Sequence, residues 1–370
     1  SIAAESATAR IKSYIQSSLN EKSAVGLKAT KLADKLVPVT LSLAGVSYLL
    51  SRDMTRVASV LQADYSCALK LATPVAFKSS ISKAGRNGVL IKGAKAIEAL
   101  ASADTFVFDK TGTLTHGSLS VVKVHSFKKE FTEAQLLNLT ASAEEHYFHP
   151  VAEAIVKAAR EIGFHHIHHD EVEFIVAHGV KTYVGGKEVV IGSRHFLEDD
   201  EQISFSKHEK IIKNEVDSGL TLLYVGYDKE LLGVIAMRDT MRENAAQTLA
   251  RLRKLGVKEL IMLTGDVQSK AGQVASELGI DRVYANCLPT DKAGIIEQLK
   301  AEGKKVAFVG DGINDAPSLT KAHVGISMQK GADIAKATAD ISLLKDDIGS
   351  VAVAKDAANK TIKLINANFN

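Results

Sequence analysis

Three short apolar segments, each running directly into an acidic motif, constrain the fold of this chain most strongly. Residues 105–108 precede Asp109, residues 260–263 precede Thr-Gly-Asp (264–266), and residues 306–309 precede Gly-Asp-Gly-Ile-Asn-Asp (310–315). Amphipathic helix patterns accompany the later two segments, over residues 242–255, 269–278 and 291–302. Short buried strands that alternate with helices indicate a parallel sheet. Because functional loops lie at the carboxyl ends of such strands, we expect the three motifs to meet at one site.

The stretch between the first motif and the other two has a different pattern. It combines predicted helices with short alternating strands, at 133–144 and 151–162 for the helices and at 173–176, 181–184, 188–191 and 222–227 for the strands. We therefore predict an α+β domain over 119–236 that is inserted into an outer α/β domain formed by 81–118 and 237–355.

Two mostly apolar runs precede the α/β pattern. Residues 36–50 carry no charge, and residues 57–77 are interrupted by Gln62, Asp64 and Lys70. A membrane helix needs about 20 apolar residues, and flanking lysines mark the cytoplasmic side. We predict a transmembrane helix pair over 36–80 after a helical segment at 1–35, with a buried hairpin of a soluble protein as the alternative. Lys70 is expected to snorkel or to pair with Asp64.

Charge and cysteine content narrow the class of protein. The formal net charge is +3, which does not suggest a nucleic-acid-binding protein. The two cysteines, Cys67 and Cys287, are too far apart for a metal finger and too few for a disulfide framework, so we expect a reducing, cytosol-facing environment. The chain starts at Ser1 and ends within a helix-like pattern, and we interpret it as a piece of a longer protein.

Phosphoryl transfer is the chemistry that fits the three motifs. The Asp109 carboxylate is anionic at neutral pH and can attack the γ-phosphoryl group of ATP. Asp311 and Asp315 can hold Mg²⁺, which prefers carboxylate oxygens and offsets charge on the transferred group. Thr264 can donate a hydrogen bond to it, Lys292 can supply a positive charge, and the backbone amides of 111–113 can surround it.

The ordered motifs resemble those of the P-type ATPases in the haloacid dehalogenase superfamily: Asp-Lys-Thr-Gly-Thr-Leu-Thr (109–115), Thr-Gly-Asp and Gly-Asp-Gly-Ile-Asn-Asp-Ala-Pro. The resemblance implies a Rossmann-like phosphorylation domain, an inserted nucleotide-binding domain and a transmembrane hairpin. It also implies an aspartyl-phosphate on Asp109, with Mg²⁺ held by Asp109, Asp311 and the Thr111 carbonyl. Further site residues are implied by the same motifs: Lys110, Thr264, Gly265, Asp266 and Lys292, with Asp239 and Arg242 similar to the family's hinge.

One substitution favours a pump over a phosphatase. Related soluble phosphatases carry a second Asp two residues after the nucleophile, and this chain has Thr111 there. Without an adjacent base, attack of water on the acyl-phosphate should be slow, which suits an energy-coupling cycle.

The inserted domain resembles the nucleotide-binding domain of the heavy-metal subgroup. His149 and Pro150 match its His-Pro pair, and Glu144, Gly179 and Gly192 match further residues of its ATP pocket, although Ala177 and Phe148 depart from the pattern. The simpler interpretation of Pro150 is a helix start with Pro at its first position. The four histidines at 165, 166, 168 and 169 are interpreted as a solvated loop, with metal sensing as the alternative.

The second apolar run resembles the intramembrane Cys-Pro-Cys motif of heavy-metal pumps, with Tyr65-Ser66-Cys67 in its place. We expect Cys67, Ser66 and Asp64 to bind the transported ion, with helix packing as the alternative for Cys67. A mixed sulfur and oxygen set favours Mn²⁺, Zn²⁺, Fe²⁺ or Co²⁺ over Cu⁺.

The resemblance also defines partners and location. We expect ATP, a transition-metal ion and membrane lipid as partners, and an integral protein of the cell membrane with catalytic domains in the cytoplasm. An actuator domain and further membrane helices are expected outside this chain, with residues 356–370 beginning the next membrane helix. The competing hypotheses are a soluble aspartate-nucleophile phosphatase and a non-catalytic ATP-binding regulatory module.

Overall fold

The computed structural model describes residues 24–62, 65–145, 150–175 and 179–367. By internal contacts the chain divides into two compact units. The first comprises residues 1–113, 243–265 and 277–370, and the second comprises residues 114–242 and 266–276. Each unit is built around its own sheet.

The described part of the first unit begins with the helices α1 (Ala24–Ser51), α2 (Met54–Gln62) and α3 (Tyr65–Arg86). Asp53 accepts a hydrogen bond from the Thr55 amide and so caps the start of α2. α1 packs against both α2 and α3, with small residues such as Ala33 buried between them.

Among the described helices, the segment Gly26–Ser51 alone is long and apolar enough to cross a membrane. The predicted transmembrane helix pair over 36–80 stays a prediction, of which this segment supplies one candidate span. The first helix starts well before residue 36, and the second apolar run is described as α2 and α3, with residues 63 and 64 between them outside the described residues. Charged residues in those two helices, among them Arg56, Lys70 and Lys78, lower their hydropathy.

A seven-stranded sheet forms the centre of the first unit. Numbered along the whole chain, its strands are β1 (Val89–Ile91), β2 (Thr105–Asp109), β9 (Glu259–Leu263), β10 (Arg282–Tyr284), β11 (Val306–Gly310), β12 (Val324–Ser327) and β13 (Ile341–Leu343). The strands β3 to β8 belong to the second unit. Their spatial order is β1-β13-β12-β11-β2-β9-β10, and every pair is parallel except β1 with β13. The parallel sheet expected from the three apolar segments is confirmed.

The described helices that accompany this sheet in the first unit are α4 (Ala94–Ser102), α8 (Ala245–Lys254), α10 (Asp291–Ala301), α11 (Ala316–Lys321), α12 (Asp333–Thr338) and α13 (Gly349–Ala367). The helix α9 (Gln268–Leu278) lies mostly within residues 266–276 of the second unit. Apolar side chains of the central strands, such as Val107, Ile261 and Phe308, are fully buried against Ile296 and Leu319 of the helices. The strands are hydrophobic along their whole length because both faces of the sheet are covered. This rigid layer fixes the positions of the strand ends.

The helix α13 is continuous through the predicted domain boundary at residue 356. It packs against α3, α4 and α8, and Lys355, Ala358, Thr361 and Ile365 are buried in these contacts. Residues 356–367 therefore belong to the packing of the first unit.

The second unit contains an antiparallel six-stranded sheet in the order β3-β8-β7-β6-β5-β4. Its elements are β3 (Thr115–Ser126), α5 (Glu133–Glu144), α6 (Pro150–Glu161), β4 (Glu173–Ile175), β5 (Gly179–Val184), β6 (Lys187–Gly192), α7 (Glu209–Asp217), β7 (Thr221–Tyr227) and β8 (Glu230–Met241). Thr132 and Gln135 form a reciprocal capping box that starts α5. Leu136 and Ile155, from α5 and α6, are fully buried against Val180 and Ile191 of the sheet.

Candidate active site

The register of the first sheet brings the three predicted motifs together. Asp109 is paired with Leu263 on β9, so Thr264 follows directly beside it. Phe108 is paired with Val309 on β11, so Asp311 lies just beyond the neighbouring strand end. The register thus brings the three motifs to one edge of the sheet, as expected from the sequence.

Lys292 links two carboxylates at this edge. Its Nζ lies 3.0 Å from Oδ2 of Asp109 and 2.8 Å from Oδ1 of Asp315. The other oxygen of Asp315, Oδ2, accepts hydrogen bonds from the backbone amides of Asp311 and Gly312, at 2.9 and 3.0 Å. Asp315 thus ties Lys292 to the loop after β11.

The ionisation of Asp109 depends strongly on its surroundings. Burial and the Asp315 carboxylate raise the pKa of Asp109 to about 7, and Lys292 opposes this rise. Burial lowers the pKa of Lys292, but the two carboxylates outweigh it and hold that pKa above its ordinary value. A cation bound beside Asp109 favours the ionised carboxylate, which is the form that acts as a nucleophile.

A glycine at position 112 is required by the turn after β2. Gly112 has φ +78°, and a Cβ added to it would lie 2.0 Å from Oδ2 of Asp311. The turn Lys110–Leu114 therefore packs directly on the Asp311 carboxylate. The Gly of the Asp-Lys-Thr-Gly-Thr motif was the sequence signal for this contact, but its partner is visible only in the fold.

The carboxylates of Asp109, Asp311 and Asp315 form a group suited to a divalent cation. One oxygen from each carboxylate lies within 4.8 Å of the other two, and no other group of three acidic, histidine or cysteine side chains among the described residues is this close. Mg²⁺ prefers such hard oxygen ligands, so the donors present fit this ion. Both oxygens of Asp315 already accept hydrogen bonds, whereas Asp109 and Asp311 line the same edge beside the 110–114 turn.

The remaining predicted catalytic residues differ in their surroundings. Thr264 and Lys110 are buried, Gly265 is exposed, and Asp266 is half-buried and groups with the second unit. Thr113, which the sequence analysis did not single out, is fully buried, and its Oγ1 has no hydrogen-bond partner among the described residues. An unpaired hydroxyl beside the nucleophile is suited to a phosphate oxygen.

The predicted ATP residues lie in the second unit. Glu144 is buried at the end of α5, and Pro150 is the first residue of α6, as expected for Pro at a helix start. Gly179 and Gly192 face each other across β5 and β6, and a Cβ on Gly179 would come within 2.1 Å of the Ile191 carbonyl. His149 lies outside the described residues.

Asp239 and Arg242 lie near the edge of the second unit. Asp239 accepts a 2.7 Å hydrogen bond from Oγ1 of Thr115, and Nε of Arg242 donates to the Thr115 carbonyl at 3.2 Å. Arg242 is 4% exposed. These contacts join β3 to the end of β8, at the points where the chain enters and leaves this unit.

The predicted ion-binding residues are described only in part. Ser66 and Cys67 lie in the first turn of α3, and Asp64 lies outside the described residues. Lys70, one turn further along α3, forms a 2.7 Å ion pair with Asp34 of α1. A charge pair between helices lowers the cost of placing ionisable groups in an apolar hairpin.

The histidine segment at 165–169 forms contacts within the second unit. His166 bonds to Glu145 at 2.7 Å, and both ring nitrogens of His169 lie within hydrogen-bond distance of backbone carbonyls. Because carbonyls already engage both nitrogens of His169, this ring is poorly placed to bind a metal.

Comparison with protein families identifies the class. A model described as haloacid dehalogenase-like hydrolase matches residues 103–323, and a second model of the same description matches residues 293–354. The matched region contains β2, β9 and β11 with all three motifs. The chain belongs to the haloacid dehalogenase-like hydrolase family.

The individual relatives that this chain resembles are named as metal-exporting P-type ATPases. It is 34% identical over 361 residues to a zinc-exporting P-type ATPase of Mycobacterium marinum, and 34% identical over 362 residues to a manganese-exporting P-type ATPase of Mycobacterium leprae. These alignments include 97% of this chain but 49% and 50% of the two relatives. The chain thus spans about half the length of these relatives.

Solved structures agree with this grouping. A zinc-transporting PIB-type ATPase in the E2.Pi state superposes with a TM-score of 0.76 at 31% identity, covering 98% of this chain and 60% of that one. The catalytic domain of the CPx-ATPase CopB-B, from a study of conformational changes upon nucleotide binding, superposes with a TM-score of 0.59 at 31% identity, covering 74% of this chain and 98% of that domain.

Proposed function

We propose that this chain is the catalytic part of a pump that uses ATP to move a transition-metal cation across a membrane, with an aspartyl-phosphate on Asp109 as the intermediate. The observation that carries the proposal is the buried Asp109 carboxylate, 3.0 Å from the Lys292 ammonium and with one oxygen within 4.8 Å of an Asp311 oxygen. Such a site combines a nucleophile, a fixed positive charge and donors for a divalent cation.

In the proposed reaction, one oxygen of Asp109 attacks the γ-phosphorus of ATP. A new oxygen–phosphorus bond forms as the bond to the bridging oxygen breaks, and ADP leaves with that electron pair. In this proposal Lys292 neutralises charge on the transferred group, and the Thr264 and Thr113 hydroxyls donate hydrogen bonds to it. Mg²⁺, held by Asp109, Asp311 and the Thr111 carbonyl, would offset its negative charge.

We assign Asp315 a different part from the one suggested by its sequence position. Its three hydrogen bonds, from Lys292 and from the amides of residues 311 and 312, use both of its oxygens. It therefore orients Lys292 and the Asp311 loop and leaves the cation to Asp109 and Asp311. Thr111 in place of a second Asp leaves the acyl-phosphate without an adjacent base, which favours a persistent intermediate.

We place ATP in the second unit, at Glu144, His149, Pro150, Gly179 and Gly192. A side chain at Gly179 would clash with the Ile191 carbonyl at 2.1 Å, so glycine there permits the close approach of β5 and β6 on which this pocket would be built. The similarity to a catalytic domain studied for its response to nucleotide supports this placement. Lys110, Gly265 and Asp266 complete the proposed catalytic set.

The transport half of the proposal depends on the apolar helices. Only 11% of the apolar window of Gly26–Ser51 is buried, and side chains such as Leu49 and Leu50 are largely exposed. Lipid or further membrane helices would cover this surface. We propose that Cys67, Ser66 and Asp64 bind a divalent Mn²⁺, Zn²⁺, Fe²⁺ or Co²⁺ there, with the catalytic units in the cytoplasm of a cell-membrane protein.

The complete protein is needed for a full cycle. Because relatives of this chain are about twice as long, an actuator domain and further membrane helices are proposed to accompany it. The transport test uses the full-length protein in sealed vesicles, with ATP, Mg²⁺ and one ion at a time from Mn²⁺, Zn²⁺, Fe²⁺, Co²⁺ and Cu⁺.

The proposal predicts ATP-dependent accumulation of a divalent ion, lost in Asp109→Asn and reduced in Cys67→Ala. If Cys67→Ala has the same metal activation and metal affinity as the wild type, the assignment of the ion site is wrong, but the rest of the proposal stands. Rapid hydrolysis of simple phosphate monoesters without transport would instead favour a soluble-type phosphatase. Nucleotide binding without turnover would favour the regulatory module.

A further inference from the structure

One helix of the first unit, α13, caps the end of α4. The Nζ of Lys355 donates hydrogen bonds to the carbonyls of Leu100, Ala101 and Ala103, at 2.9, 2.8 and 2.9 Å. Lys355 is 2% exposed. The last carbonyls of a helix lack partners within the helix and carry its negative dipole end, so a buried ammonium satisfies them in both respects.

The same face of α13 also caps α8. Asn359, one helical turn after Lys355, donates from Nδ2 to the carbonyl of Leu255 at 2.9 Å. Leu255 is the C-cap residue of α8, and Gly256 follows it with φ +98°. Two polar side chains on one helix thus fix the ends of two other helices.

Both capped helices lead directly into catalytic strands. α4 is followed by β2, which ends at Asp109, and α8 is followed by β9, after which comes Thr264. The two strands also start together, because the Asp104 carbonyl accepts hydrogen bonds from the amides of Lys258 and Glu259. A five-residue strand spans about 17 Å and is stiff when both faces are packed, so a shift at its start moves its end.

We propose that Lys355 and Asn359 are positioning residues for phosphoryl transfer, which set the relative placement of Asp109 and Thr264 through the helix ends that they cap. The inference rests on the proposed function, since it concerns the same reaction. Neither residue touches the reacting groups, because each acts at the opposite ends of β2 and β9.

The test measures phosphoenzyme formation in the full-length protein from γ-labelled ATP, at several ATP concentrations. The variants are Lys355→Met, Lys355→Arg and Asn359→Leu, with Lys360→Met as the matched control. Lys360 lies on the same helix, but its side chain is 76% exposed and pairs with Asp356 of its own helix. Each rate of phosphoenzyme formation is divided by the measured concentration of nucleotide-binding sites, so that unfolded protein does not lower the rate that is compared.

A positioning role predicts at least a tenfold lower maximal rate per site for Lys355→Met and about threefold for Asn359→Leu. The ATP concentration for half-maximal rate should stay within twofold, Lys355→Arg should recover part of the rate, and Lys360→Met should match the wild type.

A role in stability alone predicts lower melting temperatures with unchanged rates per site, and that result would overturn the inference. If Lys355→Met does not fold, Asn359→Leu, which loses one hydrogen bond, decides the question. If the wild type forms no labelled phosphoenzyme, the proposed function itself is contradicted. If the wild type is labelled and the variants are labelled at the same rate per site, only the inference about Lys355 and Asn359 is contradicted.

Discussion

The ammonium group of Lys292 lies 3.0 Å from Oδ2 of Asp109, on the side where the carboxyl ends of β2, β9 and β11 meet. Lys292 comes from the first turn of α10 and is held there by its second contact, with Asp315. The pair places a permanent positive charge against the proposed nucleophile. Its consequences can be tested one residue at a time.

Replacing Lys292 by Met should slow phosphoenzyme formation by about 100-fold, the scale of losing one preorganised donor to a developing anion. Lys292→Arg should retain part of the rate, because charge is kept but the reach to Asp109 and Asp315 changes. Lys300→Met is the control, since Lys300 lies near the other end of the same helix and bonds the Lys321 carbonyl. Equal rates in Lys292→Met and wild type would contradict the assigned role.

The raised pKa of Asp109 makes stability depend on pH in the Mg²⁺-free protein. The carboxyl has an ordinary value of 3.8 and titrates at about 7 in the fold, so the folded state binds the proton more tightly. The protonated carboxyl therefore favours folding at low pH, and this advantage is lost as pH rises through about 7. Asp109→Asn, which stays neutral, should become more stable than wild type between pH 4 and 8, by at most about 4 kcal/mol.

Melting temperatures in detergent with a chelator, from pH 4 to pH 8, measure this difference. Asp217→Asn, at the exposed end of α7, serves as the control for removing a carboxylate outside the site. Added Mg²⁺ should narrow the gap at pH 8, because it stabilises the ionised Asp109. A constant difference between Asp109→Asn and wild type across the range would show that the carboxyl is not perturbed.

Gly112→Ala should abolish phosphorylation by displacing Asp311, since the new Cβ would start 2.0 Å from the Asp311 carboxylate. Gly303→Ala separates this clash from backbone strain. Gly303 has a similar φ of +83°, but a Cβ added there would have no atom of the described residues within 4 Å. Both variants should lose about 1 kcal/mol of stability from the left-handed backbone, and only Gly112→Ala should lose activity. Activity retained in Gly112→Ala would place Asp311 outside the reaction.

Asp311→Asn and Asp315→Asn should fail in different ways. Asp311→Asn removes a proposed cation ligand, so the Mg²⁺ concentration for half-maximal phosphorylation should rise at least tenfold. In Asp315→Asn an NH₂ group replaces one of the two oxygens that now accept hydrogen bonds. This group would face a donor, either the Lys292 ammonium or the backbone amides of residues 311 and 312. The maximal rate of Asp315→Asn should fall with little change in Mg²⁺ dependence, and a shift equal to that of Asp311→Asn would make Asp315 a ligand after all.

The parts of the site that could be predicted from sequence are those set by local pattern. Five-residue apolar strands followed directly by acidic motifs predict both a parallel sheet and the meeting of Asp109, Thr264 and Asp311, because strand ends align in register. The edge strands β1 and β10 have three residues each, too few for a periodic signal.

Contacts between distant segments could not be predicted in the same way. Lys355 sits in a helical pattern where lysine is ordinarily exposed, and its three acceptors lie 252 to 255 residues earlier. Asp34 as the partner of Lys70 likewise depends on how α1 packs against α3. The hydrogen bond from Lys292 to Asp315 follows from the placement of α10 beside the loop after β11, which residue spacing does not specify.

The most direct test of the central claim is acid-quench labelling of the full-length protein with γ-labelled ATP and Mg²⁺. The account predicts a label that is stable in acid, released by hydroxylamine as expected for an acyl-phosphate, and lost in Asp109→Asn. A hydroxylamine-resistant label, or one that persists in Asp109→Asn, would contradict the assignment of Asp109 as the phosphorylated residue.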